Sequence, residues 1–305
     1  MNTLANHGYI PRNGVASFEE ITLGVMEAFN LGVTMAVGMV AQNMLTRGNM
    51  FADKISIGGV STLVPPLPFQ LDGPVTGGLA KHGRVEGDAS MTRADAFIGD
   101  NVHFQDMLYD LDLLQLGKFG DNGPDGNNTV FNVATLIGMK QQNIAMDQAA
   151  NPMFALPARR VNTAFAGAAT ILHIFANGTT KQATLPIIGS FFRNQTFPPN
   201  WFRSATPINS TVLVPTIAQL QAAIPIVPGH NDAGVYVADP APPPPWNSSF
   251  ACFAYYDQAA NIPGTIVNTT GIFKKNVDLL TGILFNGVSA NPGCARIDPF
   301  GPTGV

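Results

Sequence analysis

Charge is scarce in this chain. Of 305 residues, 16 are Lys or Arg and 20 are Asp or Glu, a net charge of −4. So few cations leave no footprint for a phosphate backbone, which sets nucleic acid aside as a partner. Long apolar runs are missing too. The longest, residues 31–41, is broken by Gly32 and Gly38 and is too short to cross a bilayer, so no membrane span is expected. Cysteine is nearly absent, with only Cys252 and Cys294. Between Ala149 and Asn231 there is no Asp or Glu at all. Residues 1–14 hold no basic stretch followed by an apolar core, so no signal peptide reads there.

What the chain has instead is apolar material. Hydrophobic residues make up 46% and charged ones 12%, ample for a sizeable core and for lining an apolar cavity. Six Asn-x-Ser/Thr triplets begin at Asn127, Asn177, Asn194, Asn209, Asn247 and Asn268. Their number, beside Gly, Pro and polar residues, points to exposed loops, glycosylation and an extracellular, secreted protein. In that setting Cys252 and Cys294 form one disulfide, whose loop closure contributes roughly 4 kcal/mol in the chain-entropy picture. Two buried free thiols are the alternative.

Local signals predict a mainly α single domain over residues 1–305, with few short strands. Ser17-Phe-Glu-Glu20 has capping-box spacing, with Ile21, Val25 and Phe29 on one face of the helix it opens. A second, nearly all-apolar helix runs from Leu31 to Thr46 and stops at Gly48. Its Met35, Met39 and Met44 read as core rather than ligands. Residues 60–77 read as loop. Further helices are expected over His103–Leu116, ended by Gly117, and over Phe131–Ala150, ended by Asn151-Pro152. Asp121–Thr129 reads as a surface loop. Pro157 opens a helix continuing to about Ala176. Thr184–Phe192 reads as a short helix, Val214–Tyr256 as Pro-rich extended chain with short strands, and Lys274–Phe285 as a last helix. His7, His82, His103, His173 and His230 show no metal spacing.

Three segments carry a family resemblance. They are Asn2-Thr-Leu-Ala-Asn-His-Gly-Tyr-Ile-Pro-Arg-Asn-Gly14, Glu86-Gly-Asp-Ala-Ser-Met-Thr-Arg93, and the C-terminal frame of Cys252, Cys294 and Asp298-Pro-Phe-Gly301. Together they resemble the fungal heme-thiolate peroxidases, the peroxygenases and chloroperoxidases, and specifically the long, disulfide-bearing branch. The resemblance implies a bundle of about ten helices around a buried heme b. It implies use of hydrogen peroxide to oxyfunctionalise small aromatic or aliphatic substrates, and the possibility of a homodimer. A thiolate ligand donates electron density to the iron and aids O–O cleavage, while the protein supplies a proton and an apolar channel.

Carried over residue by residue, the resemblance gives a partial site. The family's axial cysteine, in a Pro-Cys-Pro motif, corresponds to a position just upstream of Met1, which reads as an N-terminal truncation. Glu86, Gly87 and Ser90 match the family's Mg²⁺ site beside a heme propionate: a carboxylate, a carbonyl and a hydroxyl suit a hard cation. The alternative is that Asp88 and Ser90 cap a helix starting near Ser90. Arg160, rather than its neighbour Arg159, matches the arginine that stabilises charge as peroxide cleaves. Seven residues on, where the family has an acid–base glutamate, stands Gly167. Loss of a positioned acid–base costs roughly 10²–10⁴-fold in rate. Val85, Phe165 and Thr170 lie near channel positions, equally readable as core, and the small Val85 and Thr170 hint at a wider pocket. Two functions follow: a peroxygenase impaired at Gly167, or an inactive scaffold carrying an apolar ligand.

Overall fold

The computed structural model describes residues 1–67, 77–83, 87–240, 262, 266 and 269–284. Its described elements are helices α1 (Asn2–Asn6), α2 (Phe18–Phe29), α3 (Val33–Arg47), α4 (Asp106–Phe119), α5 (Val133–Ala150), α6 (Ala158–His173), α7 (Leu185–Gly189), α8 (Ser210–Ala223) and α9 (Gly271–Thr281). Strands are short: β1 (Val15–Ala16), β2 (Ile55–Ser56), β3 (Asp121–Gly123), β4 (Gly126–Val130), β5 (Ala155–Leu156), β6 (Gly229–Asp232) and β7 (Val235–Ala238). They form two antiparallel pairs, β1–β2 and β3–β4, and one sheet of order β5-β6-β7. The fold is mainly α. Among the described residues no helix is long and apolar enough to cross a membrane.

The helix signals act as expected where they are local. The Ser17 hydroxyl accepts the Glu20 N–H, and the Glu20 carboxylate accepts the Ser17 N–H, closing both ends of the capping box on α2. Asn132 caps α5 by accepting the Thr135 N–H, and α5 stops before Asn151-Pro152. Of the three methionines read as core on α3, Met44 is fully buried, but Met39 faces outward.

Three expectations are corrected. Helix α4 starts later, at Asp106, and runs through Gly117 to Phe119, with Gly120 as its C-cap. The orphan carbonyls of its last turn find tertiary donors: the Asn128 side chain donates to Gly117 O and the Asn132 side chain to Phe119 O. The 121–129 loop is the hairpin β3–β4, turning at Gly126 with φ +122°. It is exposed on both faces, so its polar residues show no alternation. Helix α8 runs through Pro215. The proline and Thr211, whose carbonyl loses its N–H partner, both lie on the exposed side, where water meets the orphan group.

Two apolar cores organise the helices. One joins α1, α2, α3 and α9 around Leu4, Phe29, Met44 and Leu280. The other joins α4, α5, α6 and α8 around Leu116, Leu136, Phe165 and Leu220. Phe175, Ile187 and Phe192 pack against both and form the seam. The pairs α6–α8, α4–α5 and α2–α3 supply most helix–helix packing. That arrangement sets the face of α6 opposite the 87–92 turn.

Candidate active site

A cavity of about 250 Å³ opens between the 87–92 turn, α5 and α6. Gly87, Ser90, Arg160 and Gly167 all line it, with Lys140, Thr163, Ala164, Ala168 and Phe192. Four residues singled out from separate stretches of sequence therefore meet in one hollow. The α6 contribution is a single stripe: residues 160, 163, 164, 167 and 168 recur at the spacing of one helix face.

Two of the candidate channel residues, Phe165 and Thr170, are not among the described residues that line this cavity. Phe165 lies five residues from Arg160, about 140° around the helix. It is 1% exposed and packs into the second core. Thr170 is not among the lining residues, and its hydroxyl donates to Gly167 O at 2.6 Å. Val85 and Glu86 lie outside the described residues, as do Cys252, Cys294, Asn247 and Asn268.

Arg160 is 4% exposed. Its guanidinium packs against Gly87: a Cβ added there would sit 2.6 Å from Arg160 Cζ and Nε. Glycine at 87 is thus a steric requirement of the arginine's position. Gly167 is the opposite case. An added Cβ meets no heavy atom within 4 Å, so the α6 helix carries a hole in its side-chain stripe facing the cavity.

The 87–90 turn is not a helix start, which removes the capping reading of Asp88 and Ser90. Instead it is clamped by buried charge. Ala89 is a buried non-glycine residue at φ +58°. Its N–H donates to Asp95 Oδ1 at 3.0 Å, and its carbonyl accepts the Lys140 ammonium. Such a conformation persists where the surroundings over-determine it. Asn151 Nδ2 donates to Asp95 Oδ2 at 2.9 Å, and Asp88 Oδ2 accepts the Ala155 N–H at 2.8 Å, tying the turn to β5. Asn151 is held in turn by Asn231, which donates to its carbonyl at 2.8 Å.

Sequence reasoning missed this network. Its signal was a polar stripe on α5: Lys140, Asn143 and Asp147 at helical spacing among Leu136, Met139 and Ile144. Lys140 is 2% exposed, and burial lowers its pKa against the pull of Asp112, Asp147 and Asp95. Burial raises the Asp147 carboxyl, as does the neighbouring Asp95. Burial also pushes Asp112 up to about 7, although Asn143 and Lys140 oppose it. Asp112 is 0% exposed, and its Oδ1 accepts from Asn143 at 3.1 Å.

A carboxyl raised from 3.8 in the open chain to about 7 in the fold binds its proton more tightly when folded. Its contribution to stability is full below about pH 4 and is lost as pH rises through about 7. We expect Asp112→Asn to gain stability relative to wild type across that rise, by on the order of 2 kcal/mol. Chemical denaturation of both proteins at pH 5 and pH 8 measures it. An unchanged difference between them contradicts the assignment.

The remaining sequence candidates are dispersed. His7 meets Thr196, His173 meets Thr216, His103 meets Asp100 and His230 meets Asp239, while His82 lies 3.7 Å from Asp88. Asn127, Asn194 and Asn209 are exposed. Asn177 is not: it is 9% exposed, its amide donates to Asn200 O and its carbonyl oxygen accepts the Thr179 N–H.

Comparison with known proteins gives this geometry a family. The chain is 32% identical over 312 residues to an aromatic peroxygenase of Cyclocybe aegerita, covering 99% of this chain and 78% of that one. It is 33% identical over 209 residues to an aromatic peroxygenase of Coprinellus radians, covering 67% and 76%. It is 29% identical over 194 residues to the dothistromin biosynthesis peroxidase of Dothistroma septosporum, covering 58% and 40%. The family described as "Peroxidase, family 2" matches residues 1–206, a span that contains the whole cavity lining, and the chain belongs to that family.

Proposed function

We propose that the cavity is the distal side of a heme site and that the chain is a peroxygenase or peroxidase that uses hydrogen peroxide to oxidise small organic molecules, weakened at the proton-transfer position. The observation that carries this is the meeting of Gly87, Ser90, Arg160 and Gly167 in one hollow. The lining fits the group. Met91, Ala164, Ala168 and Phe192 give an apolar wall, and Arg160 and Lys140 place buried cations where a carboxylate-bearing cofactor needs them.

When bound, a thiolate-ligated heme supplies the cleavage of the peroxide O–O bond. The chain's own residues do the rest. Arg160 keeps its charge at every working pH and holds it in a low-dielectric hollow, where it stabilises negative charge on a departing oxygen or a propionate. The Gly87 carbonyl and Ser90 hydroxyl, with Glu86, are the oxygen donors that would hold Mg²⁺ against the propionate. Gly167 can neither take nor return a proton, so water entering the gap in the stripe must carry it. Exposed Asn127, Asn194 and Asn209 support glycosylation in a secretory route.

The relatives named aromatic peroxygenase favour aromatic substrates and hydrogen peroxide as co-substrate. The competing reading, a scaffold without turnover that carries an apolar ligand, is favoured by the unfilled position at Gly167. Titration of the purified protein with heme separates the two. With a Pro-Cys-Pro segment added ahead of Asn2 to supply the axial thiolate, a saturable Soret band that is strongly red-shifted after reduction under carbon monoxide supports the heme-thiolate reading. No saturable band sinks it.

A further inference from the structure

One feature of the cavity wall is set by an irregular helix. Helix α7 passes directly into a π-turn at Ser190–Asn194. Widening the helix by one residue re-aims successive side chains, and such turns are frequent at functional sites. Here it sends two adjacent phenylalanines into different places. Phe191 enters the first core, 5.1 Å from Phe175 and 5.2 Å from Trp201 between ring centroids. Phe192 lines the cavity and is the single aromatic side chain among its described lining residues.

The wall is held rigid from behind. Phe192 stacks on Tyr109 at 6.4 Å and meets Phe175 edge-on at 5.6 Å. Arg193, the next residue, bridges Asp106 and Asp110 of α4 at 2.6 Å each and lies 4.9 Å over the Tyr109 ring. The π-turn is thereby stapled to α4, and the Phe192 ring has neighbours that fix its plane. No sequence motif pointed to it.

We propose that Phe192 is a specificity-determining residue, the surface against which a planar aromatic substrate stacks. This deepens the functional reading above and rests on it for the identity of the cavity. Offset or edge-to-face aromatic pairs add to the stabilisation given by area alone, and a saturated ring of similar size lacks that addition.

The test reads binding without peroxide. Benzyl alcohol and cyclohexylmethanol are matched in size and hydroxyl placement. Their dissociation constants are measured calorimetrically with wild type, Phe192→Leu and Phe192→Trp. The expected result is a preference for benzyl alcohol that falls about two- to tenfold in Phe192→Leu and is retained in Phe192→Trp. An equal weakening of both probes in Phe192→Leu means a merely structural role and overturns the proposal, as does wild type binding neither probe. A changed ratio in a protein that turns over no peroxide would sink the proposed reaction and leave the role of Phe192 standing.

Discussion

Replacing Gly167 with glutamate is expected to raise peroxide-dependent turnover by about tenfold or more, where a fully positioned acid–base contributes roughly 10²–10⁴-fold. The expectation is geometric before it is chemical. A Cβ at 167 meets nothing within 4 Å, and the stripe of residues 160, 163, 164, 167 and 168 points the new side chain into the cavity beside Arg160. The substitution also removes a helix-interior glycine, which favours α6 by up to about 1 kcal/mol. Stability and chemistry must therefore be separated. Gly167→Ala provides the stability gain without a titratable group, and its turnover is expected to stay at the wild-type level. The assay uses heme-loaded protein to which a Pro-Cys-Pro segment has been added ahead of Asn2. With Arg160→Leu in the same chain, the gain from glutamate shrinks, because the two groups act on one O–O bond and their effects are not additive. A glutamate that changes nothing would mean that residue 167 does not face the reacting oxygen.

The second large effect concerns the turn rather than the reaction. Asp95→Ala is expected to destabilise the fold by about 3–5 kcal/mol, as when one member of a buried charged network is removed. Asp95 accepts both the Ala89 N–H and the Asn151 amide in a fully buried place. Without it, the Ala89 N–H is stranded, the Asn151 amide keeps only its 3.4 Å bond to Asp88 Oδ2, and the positive φ of Ala89 loses one of the two bonds that impose it. Lys140 also loses an acidic neighbour. Asp95→Asn is the milder control, since its amide oxygen still accepts one of the two donors. Urea denaturation of the three proteins at one pH measures the series. Equal stability of Asp95→Ala and wild type would show that the turn is held by something other than this network.

The legible parts of the fold were those decided within one turn of chain. Ser17 with Glu20, and Asn151 before Pro152, set helix ends through backbone groups a few residues away. The misread parts were decided at a distance. Helix α4 outlasts Gly117 because Asn128 and Asn132 arrive from the following hairpin to satisfy its carbonyls. Pro215 is tolerated because its place on α8 faces outward.

The site divides in the same way. That Arg160 and Gly167 face the same way was legible because seven residues are two turns of one helix. Phe165, readable from sequence as channel or as core, packs as core, and the same periodicity puts it well away from the Arg160 face. The clamp on Ala89 needed the third dimension. Asp95, Lys140 and Asn151 come from three segments, and each alone looks like an ordinary polar residue. Phe192 was hidden by the π-turn, since regular helical spacing does not describe where a widened turn sends its side chains.

The most direct test of the central claim is a crystal structure of the protein grown with heme. The porphyrin is expected beneath the α6 stripe, with the Arg160 guanidinium and the gap at Gly167 over one face and the 87–90 turn beside a propionate. Heme bound elsewhere, with this cavity closed or filled by side chains, would contradict it.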